Sequence, residues 1–183
     1  MARAITQDTY SSRQKLLHWI IALVVAGLIP AGLIMTRIGE GPTQDRLFDL
    51  HRSVGMVLLV LVVLRVVVRR WDGAPAPAPS LTALQRTAST GAHHLLYLLL
   101  LLMPLVGWAG MSAYGGDWRI FDLFMPWPIA PKSEPLSIGL FRAHDIGAYL
   151  LIGLIGLHVG AALFHALVLR DRVLWRMLPG RGD

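Results

Sequence analysis

His144-Asp145-Ile146-Gly147-Ala148-Tyr149-Leu150-Leu151-Ile152-Gly153-Leu154-Ile155-Gly156-Leu157-His158 is an apolar stretch closed by an imidazole at each end. On an α-helix this fourteen-residue spacing advances the chain by roughly 21 Å and returns it to nearly the same azimuth, about 40° short of four full turns. One helix therefore offers two imidazoles on one face, at two heights. His18 opens an earlier apolar run and His51 another. An ionisable side chain inside a membrane segment is costly and usually faces the bundle interior at a working site. Four of them at matched depths suggest two buried ligand sets, and the simplest occupants are two b-type haems.

Composition agrees with a membrane protein. Of 183 residues 55% are hydrophobic and 15% charged, and the mean hydropathy is +0.56; an ordinary soluble domain carries about 25% charged residues. The length predicts one domain, 1–183. The net charge of +6 does not read as nucleic-acid binding, because the cations sit beside apolar runs rather than interleaving with aromatics along a groove. The absence of cysteine excludes disulfides, iron–sulfur clusters, thiolate-ligated haem and covalent haem attachment. Any haem must be held by histidine, or by histidine with methionine.

Four apolar runs are long enough to span, at approximately 16–36, 51–69, 93–113 and 144–169. Alternating polar and apolar positions, the mark of a β-barrel, are lacking, so the expected fold is an all-α transmembrane four-helix bundle. Pro30 and Pro104 lie within runs and are kink candidates. The first run has a basic flank like a signal peptide. It is 20 residues long without a convincing cleavage site, however, and its removal would discard His18, so it reads as an uncleaved span. The N-terminal arm, second connection and C-terminal tail together carry eleven Lys and Arg residues, from Arg3 to Arg181, against six on the opposite side, which also holds seven of the eleven acidic residues. Both termini are therefore expected in the cytoplasm.

The tract Ala74-Pro75-Ala76-Pro77-Ala78-Pro79 reads as a stiff polyproline spacer. The long connection from Tyr114 to Ala143 holds Trp118, Phe121, Phe124, Met125 and Trp127 among several prolines. That density suggests a segment at headgroup level, either a roof over an outer site or a simple interfacial anchor. The closing Arg181-Gly182-Asp183 reads as a chance tripeptide.

Depth pairs the histidines. With the N-terminus inside, His18 falls near the cytoplasmic edge of a rising helix and His51 near the periplasmic edge of a descending one. His144 is then level with His51, and His158, roughly 21 Å deeper, with His18. The pairs His18/His158 and His51/His144 would each close a six-coordinate haem, which favours outer-sphere electron transfer over oxygen binding. Gly55, Gly147, Gly153, Gly156 and Gly160 near these positions leave room for a flat macrocycle, or simply permit close helix approach. His93 and His94 share the inner depth, so depth alone does not choose between them and His18. His165, one heptad past His158, and His93 are candidate contacts to a quinone or a haem propionate.

The runs Arg13-Gln14-Lys15-Leu16-Leu17-His18-Trp19, His51-Arg52-Ser53-Val54-Gly55, His93 through Tyr97-Leu98-Leu99 into Leu102-Met103-Pro104-Leu105-Val106-Gly107, His144-Asp145, and Gly156-Leu157-His158 through Phe164-His165, with the ending Arg176-Met177-Leu178-Pro179, together resemble the bacterial cytochrome b561 family over nearly the whole chain. The resemblance implies His18, His51, His144 and His158 as haem b ligands, and so His18 rather than His93. It also implies an inner-membrane location, quinone chemistry, and for some members oxidation of periplasmic superoxide with delivery of electrons to ubiquinone. Ala143-His144-Asp145 departs from the family pattern, which often has tryptophan before this histidine and glutamate after it. That bears on substrate contacts at the outer haem more than on ligation.

The expected activity is that of an oxidoreductase carrying electrons from a small periplasmic donor or partner protein to a quinone, embedded in lipid. Arg52, Arg119, Lys132 and Arg142 would steer an anion, opposed by Asp117, Asp122, Glu134 and Asp145. The alternative is a cytochrome anchor subunit of a larger dehydrogenase or hydrogenase, marked by co-purification of a large periplasmic subunit. A histidine-lined metal transporter is a third class, and it predicts a colourless protein.

Overall fold

The computed structural model describes residues 9–178. Arg3, Arg181 and the closing tripeptide lie outside the described residues. The chain forms four long helices: α1 (Ser12–Met35), α2 (Pro42–Asp72), α3 (Ala83–Tyr114) and α4 (Glu134–Phe164). A π-helical turn, His165–Leu169, and a 3-10 turn, Leu174–Met177, follow. Each long helix is apolar enough to cross a bilayer, and even the 24 residues of α1 extend about 36 Å against a hydrocarbon core of about 30 Å. The all-α transmembrane four-helix bundle read from the sequence is the fold observed.

Local chemistry sets the helix ends. Ser11 caps α1 by accepting the Gln14 N–H at 3.3 Å, and proline at the start of α2 and of α4 supplies a preset φ where no amide donor is needed. Thr82 and Gln85 form a reciprocal capping box at α3. Gly115, with φ of 75°, ends α3 in the left-handed region that glycine enters without strain. Three helices thus begin about ten residues before their apolar runs. Their first turns carry polar residues such as Asp45, Arg46 and Arg86, which a hydropathy window passes over although the helix includes them. The connection expected from Tyr114 to Ala143 shrinks to 115–133, because α4 already begins at Glu134. Pro30 and Pro104 both lie inside helices that continue past them.

Close backbone packing joins α1 to α2, α2 to α3, and α3 to α4, whereas α4 makes at most isolated approaches to α1 and α2. Ile21 and Val25 of α1 meet Leu58 and Val62 of α2 in a buried cluster, against which Tyr97, Leu100 and Leu101 of α3 and Ile155 of α4 pack. Across α3 and α4, Gly110 lies against Phe141 and Gly147 against Met103 Sδ. The α1–α2 half is therefore knitted by aliphatic side chains, while α4 stands off from it.

A belt of polar contacts closes the end of the bundle where α1 begins. Arg13 pairs with Asp72 at 2.6 Å, Gln14 Nε2 donates to Gly73 O at 2.8 Å, and Trp19 Nε1 donates to Met177 O at 3.0 Å. The alanine–proline tract takes part: Arg176 donates to Ala76 O at 2.7 Å, and Ala78 is buried. It is a spacer that is also held along its length.

Candidate functional site

Across the gap between α4 and the α1–α2 half, four of the seven histidines meet in two pairs. His18 of α1 faces His158 of α4 with ring centroids 6.2 Å apart and planes at 74°. His51 of α2 faces His144 of α4 at the same 6.2 Å and 74°. An axial metal–nitrogen bond of about 2 Å, plus roughly 1.1 Å from ring nitrogen to ring centre, puts two trans imidazole centroids about 6.2 Å apart. Both pairs therefore have the separation that one intervening metal ion requires. The first pair is termed the lower level and the second the upper.

The surroundings fit a flat, metal-centred macrocycle. Nδ1 of His51 and of His144 are buried without a hydrogen-bond partner, and the carbonyls of Leu28 and Met103 lie beside these two rings. Ligating histidines commonly direct their second nitrogen at such an acceptor. One turn beyond each carbonyl stands a glycine that the sequence reading missed. A Cβ on Gly32 would lie 3.0 Å from His51 Cε1, and one on Gly107 would lie 3.3 Å from His144 Cε1. Nothing stands within 4 Å of a Cβ built on Gly55, Gly153, Gly156 or Gly160, consistent with room beside the rings. Gly147 differs: its space is taken by Met103 Sδ, so it serves the α3–α4 contact.

His93 of α3 also faces His158, at 5.3 Å and 80°. That is about an ångström short of the two-ligand spacing, and its Nδ1 is held by Ser89 O at 2.6 Å. His94 is exposed.

At the far end of α4 the π-helical turn buries His165, whose Nδ1 lies 2.6 Å from Asp171 Oδ2. Asp171 also accepts from Ser80 Oγ at 2.9 Å and from the Val173 N–H at 3.0 Å. Burial opposes the charged carboxylate, but these hydrogen bonds, His165's foremost, outweigh it and hold the Asp171 carboxyl below its ordinary range. Sequence spacing gave no sign of Asp171, because the widened turn and left-handed Arg170 fold it back onto His165. π-Turns inside helices cluster at functional sites.

The cations expected to steer an anion do not form one patch. Arg52 is half-buried, ion-paired with Asp49 and donating to Phe48 O at 3.2 Å, whereas Arg119, Lys132 and Arg142 are exposed. The connection 115–133 does reach the upper level: the Phe121 N–H donates to the buried Ser53 Oγ, two residues past His51, at 2.9 Å. Within the connection Trp118 and Ile120 are buried, Trp108 Nε1 holds Trp127 O at 3.0 Å, and Trp127 itself is 82% exposed.

Membrane-spanning helices that carry paired imidazoles at metal-ligand spacing are the arrangement a membrane cytochrome of b type requires. The family model described as prokaryotic cytochrome b561 matches residues 9–180, and the chain belongs to that family. It is 31% identical to cytochrome b561 homolog 1 of Escherichia coli, an alignment covering 95% of this chain and 99% of the relative. It is 32% identical to a probable superoxide oxidase CybB of Yersinia pestis over 93% and 96%, and 31% identical to cytochrome b562 of Cereibacter sphaeroides over 97% and 100%. The protein is thus a multi-pass bacterial membrane protein of electron transport that binds haem b.

Proposed function

We propose that this chain holds two haems b in the bacterial inner membrane as one domain over 1–183, one between His18 and His158 and one between His51 and His144. It passes electrons from a periplasmic donor to the quinone pool. The observation that carries this reading is the duplicated 6.2 Å, 74° pairing at two levels. Haem b held by two imidazoles supplies one-electron iron chemistry with no open coordination position.

Superoxide is the favoured donor, on the likeness to the probable superoxide oxidase. Two superoxide ions, one quinone and two protons would yield two molecules of dioxygen and one quinol. Arg119, Lys132 and Arg142 would draw the anion to the periplasmic face, with both termini in the cytoplasm. His165 would donate a proton from Nε2 to a quinone oxygen, while Asp171 holds Nδ1 and orients the ring. His93, fixed through Ser89, would contact a propionate or quinone at the same end.

The test is stopped-flow mixing of purified protein with superoxide and ubiquinone. Quinol formation at half the rate of superoxide loss is expected. Reduction of the haems without quinol formation would refute the quinone assignment, and a tightly co-purifying catalytic subunit would favour the anchor-subunit reading instead.

A further inference from the structure

Arg65 is the one charged residue in the apolar run from Val54 to Val68. A cationic side chain inside a bilayer segment normally has a task. Its place is well defined. Nη1 donates to Gln14 O at 2.7 Å, on α1 one turn before His18. The guanidinium carbon lies 5.8 Å from the Tyr97 ring centre, on α3 one turn after His93. Arg65 is thereby fixed between the turns of α1 and α3 that lead to His18 and follow His93.

The charges around the two levels are unequal. At the lower level Arg65 is held one turn from His18 along α1 and one turn from His93 along α3, and Arg69 follows it one turn along α2. The nearby acids of that end are engaged elsewhere, Asp72 with Arg13 and Asp171 with His165. At the upper level, Arg52 beside His51 is ion-paired with Asp49, and the acid Asp145 directly follows His144. Adding an electron to a haem lowers its charge by one, so a fixed neighbouring cation favours the reduced form and a carboxylate the oxidised form.

We infer that Arg65 is a positioning charge that makes the lower level the electron sink, setting the direction of transfer from the His51/His144 level to the His18/His158 level. This rests on the two-haem reading proposed above. As a general magnitude, a fixed charge acting through a medium of intermediate dielectric over roughly 10 Å changes an equilibrium by about tenfold, which corresponds to about 59 mV for a one-electron couple.

The experiment is an optically monitored redox titration of haem-loaded protein in lipid nanodiscs, with wild type, Arg65→Gln, Arg65→Met and Arg65→Lys. Each is repeated with His51→Ala, so that the lower haem is read alone. Both neutral variants should lower the lower haem's midpoint by a shift near tenfold in its reduced fraction. The upper haem should move less than half as far, and Arg65→Lys should restore most of the shift. An unmoved lower midpoint, an equal shift at both levels, or a lysine variant as low as glutamine each overturns the inference while leaving two haems in place. Loss of the lower haem from both neutral variants also overturns it, since Arg65 would then act in retention. A wild-type protein with a single haem that survives both His18→Ala and His158→Ala overturns the two-haem reading and this inference together.

Discussion

Gly32 lets α1 approach the His51 imidazole closely enough that a single methyl group should disable the upper level alone. A Cβ there would stand 3.0 Å from His51 Cε1, about 0.5–1 Å inside the optimum for two carbons. The neighbour to be moved is the rigid ring, and a working constellation tolerates about 0.5 Å of displacement. Disturbing the shell that orients a metal-ligating histidine typically lowers affinity 10–100-fold, or about 1.4–2.7 kcal/mol. Gly32→Ala should therefore weaken haem retention at the upper level by that factor. Gly107→Ala, with 3.3 Å to His144 Cε1, should cost only a few-fold. Gly27→Ala is the internal control: nothing lies within 4 Å, and alanine is intrinsically the better helix former by about 1 kcal/mol. The assay is haem loss to an excess of a haem-scavenging apoprotein, followed in the Soret band. A His18→Ala background isolates the upper level, and His51→Ala the lower. Equal retention in Gly32→Ala and Gly27→Ala, or equal loss at both levels, would refute the argument that close approach to His51 matters for ligation.

Replacing His51 or His144 by alanine should remove one haem of two and leave the other spectrally intact, and His18 or His158 should do the converse; His93→Ala should keep both, as measured by haem-to-protein ratio. Asp171→Asn should slow quinol formation at least tenfold with haem content unchanged. The carboxyl of Asp171 is depressed in the fold, so its stabilising contribution is present above the ordinary aspartate value of about 3.9 and lost as pH falls through the lower folded value. The melting temperature gap between wild type and Asp171→Asn should accordingly hold steady from neutral pH to about pH 5 and close in stronger acid. Ser53→Ala leaves the Phe121 N–H without its acceptor, at about 1 kcal/mol, and should speed amide exchange across residues 118–124 while sparing the helix interiors.

How far the site was legible depends on which residues carried it. The four spans and the level of each histidine follow from spacing, because helix geometry converts residue number into depth. Depth set His51 level with His144 but left His18, His93 and His94 as equal candidates beside His158, and only the family resemblance favoured His18. The helix starts were also written in the chain, at Pro42, at Thr82 with Gln85, and at Ser133 before Pro135. A search for apolar windows passes over them, since capping is polar and local. Gly32 and Gly107 were not distinguishable from other small residues of membrane helices; their role exists only because another helix presents an imidazole to them. Asp171 was invisible for a related reason, since six residues past His165 it reaches that ring only through a π-turn and a left-handed Arg170.

Sequence by itself thus determined the depth of each imidazole and the crossing of a bilayer, both consequences of one-dimensional spacing along helices of known rise. Tertiary structure decided azimuth and approach: that His18 rather than His93 stands from His158 at the separation a bridging metal needs, and that α4 stands off from α1 and α2. It also placed Arg65 between Gln14 and Tyr97. Spacing along one helix fixes height, but distance between helices is set by the side chains of both, so no single run of residues could encode it.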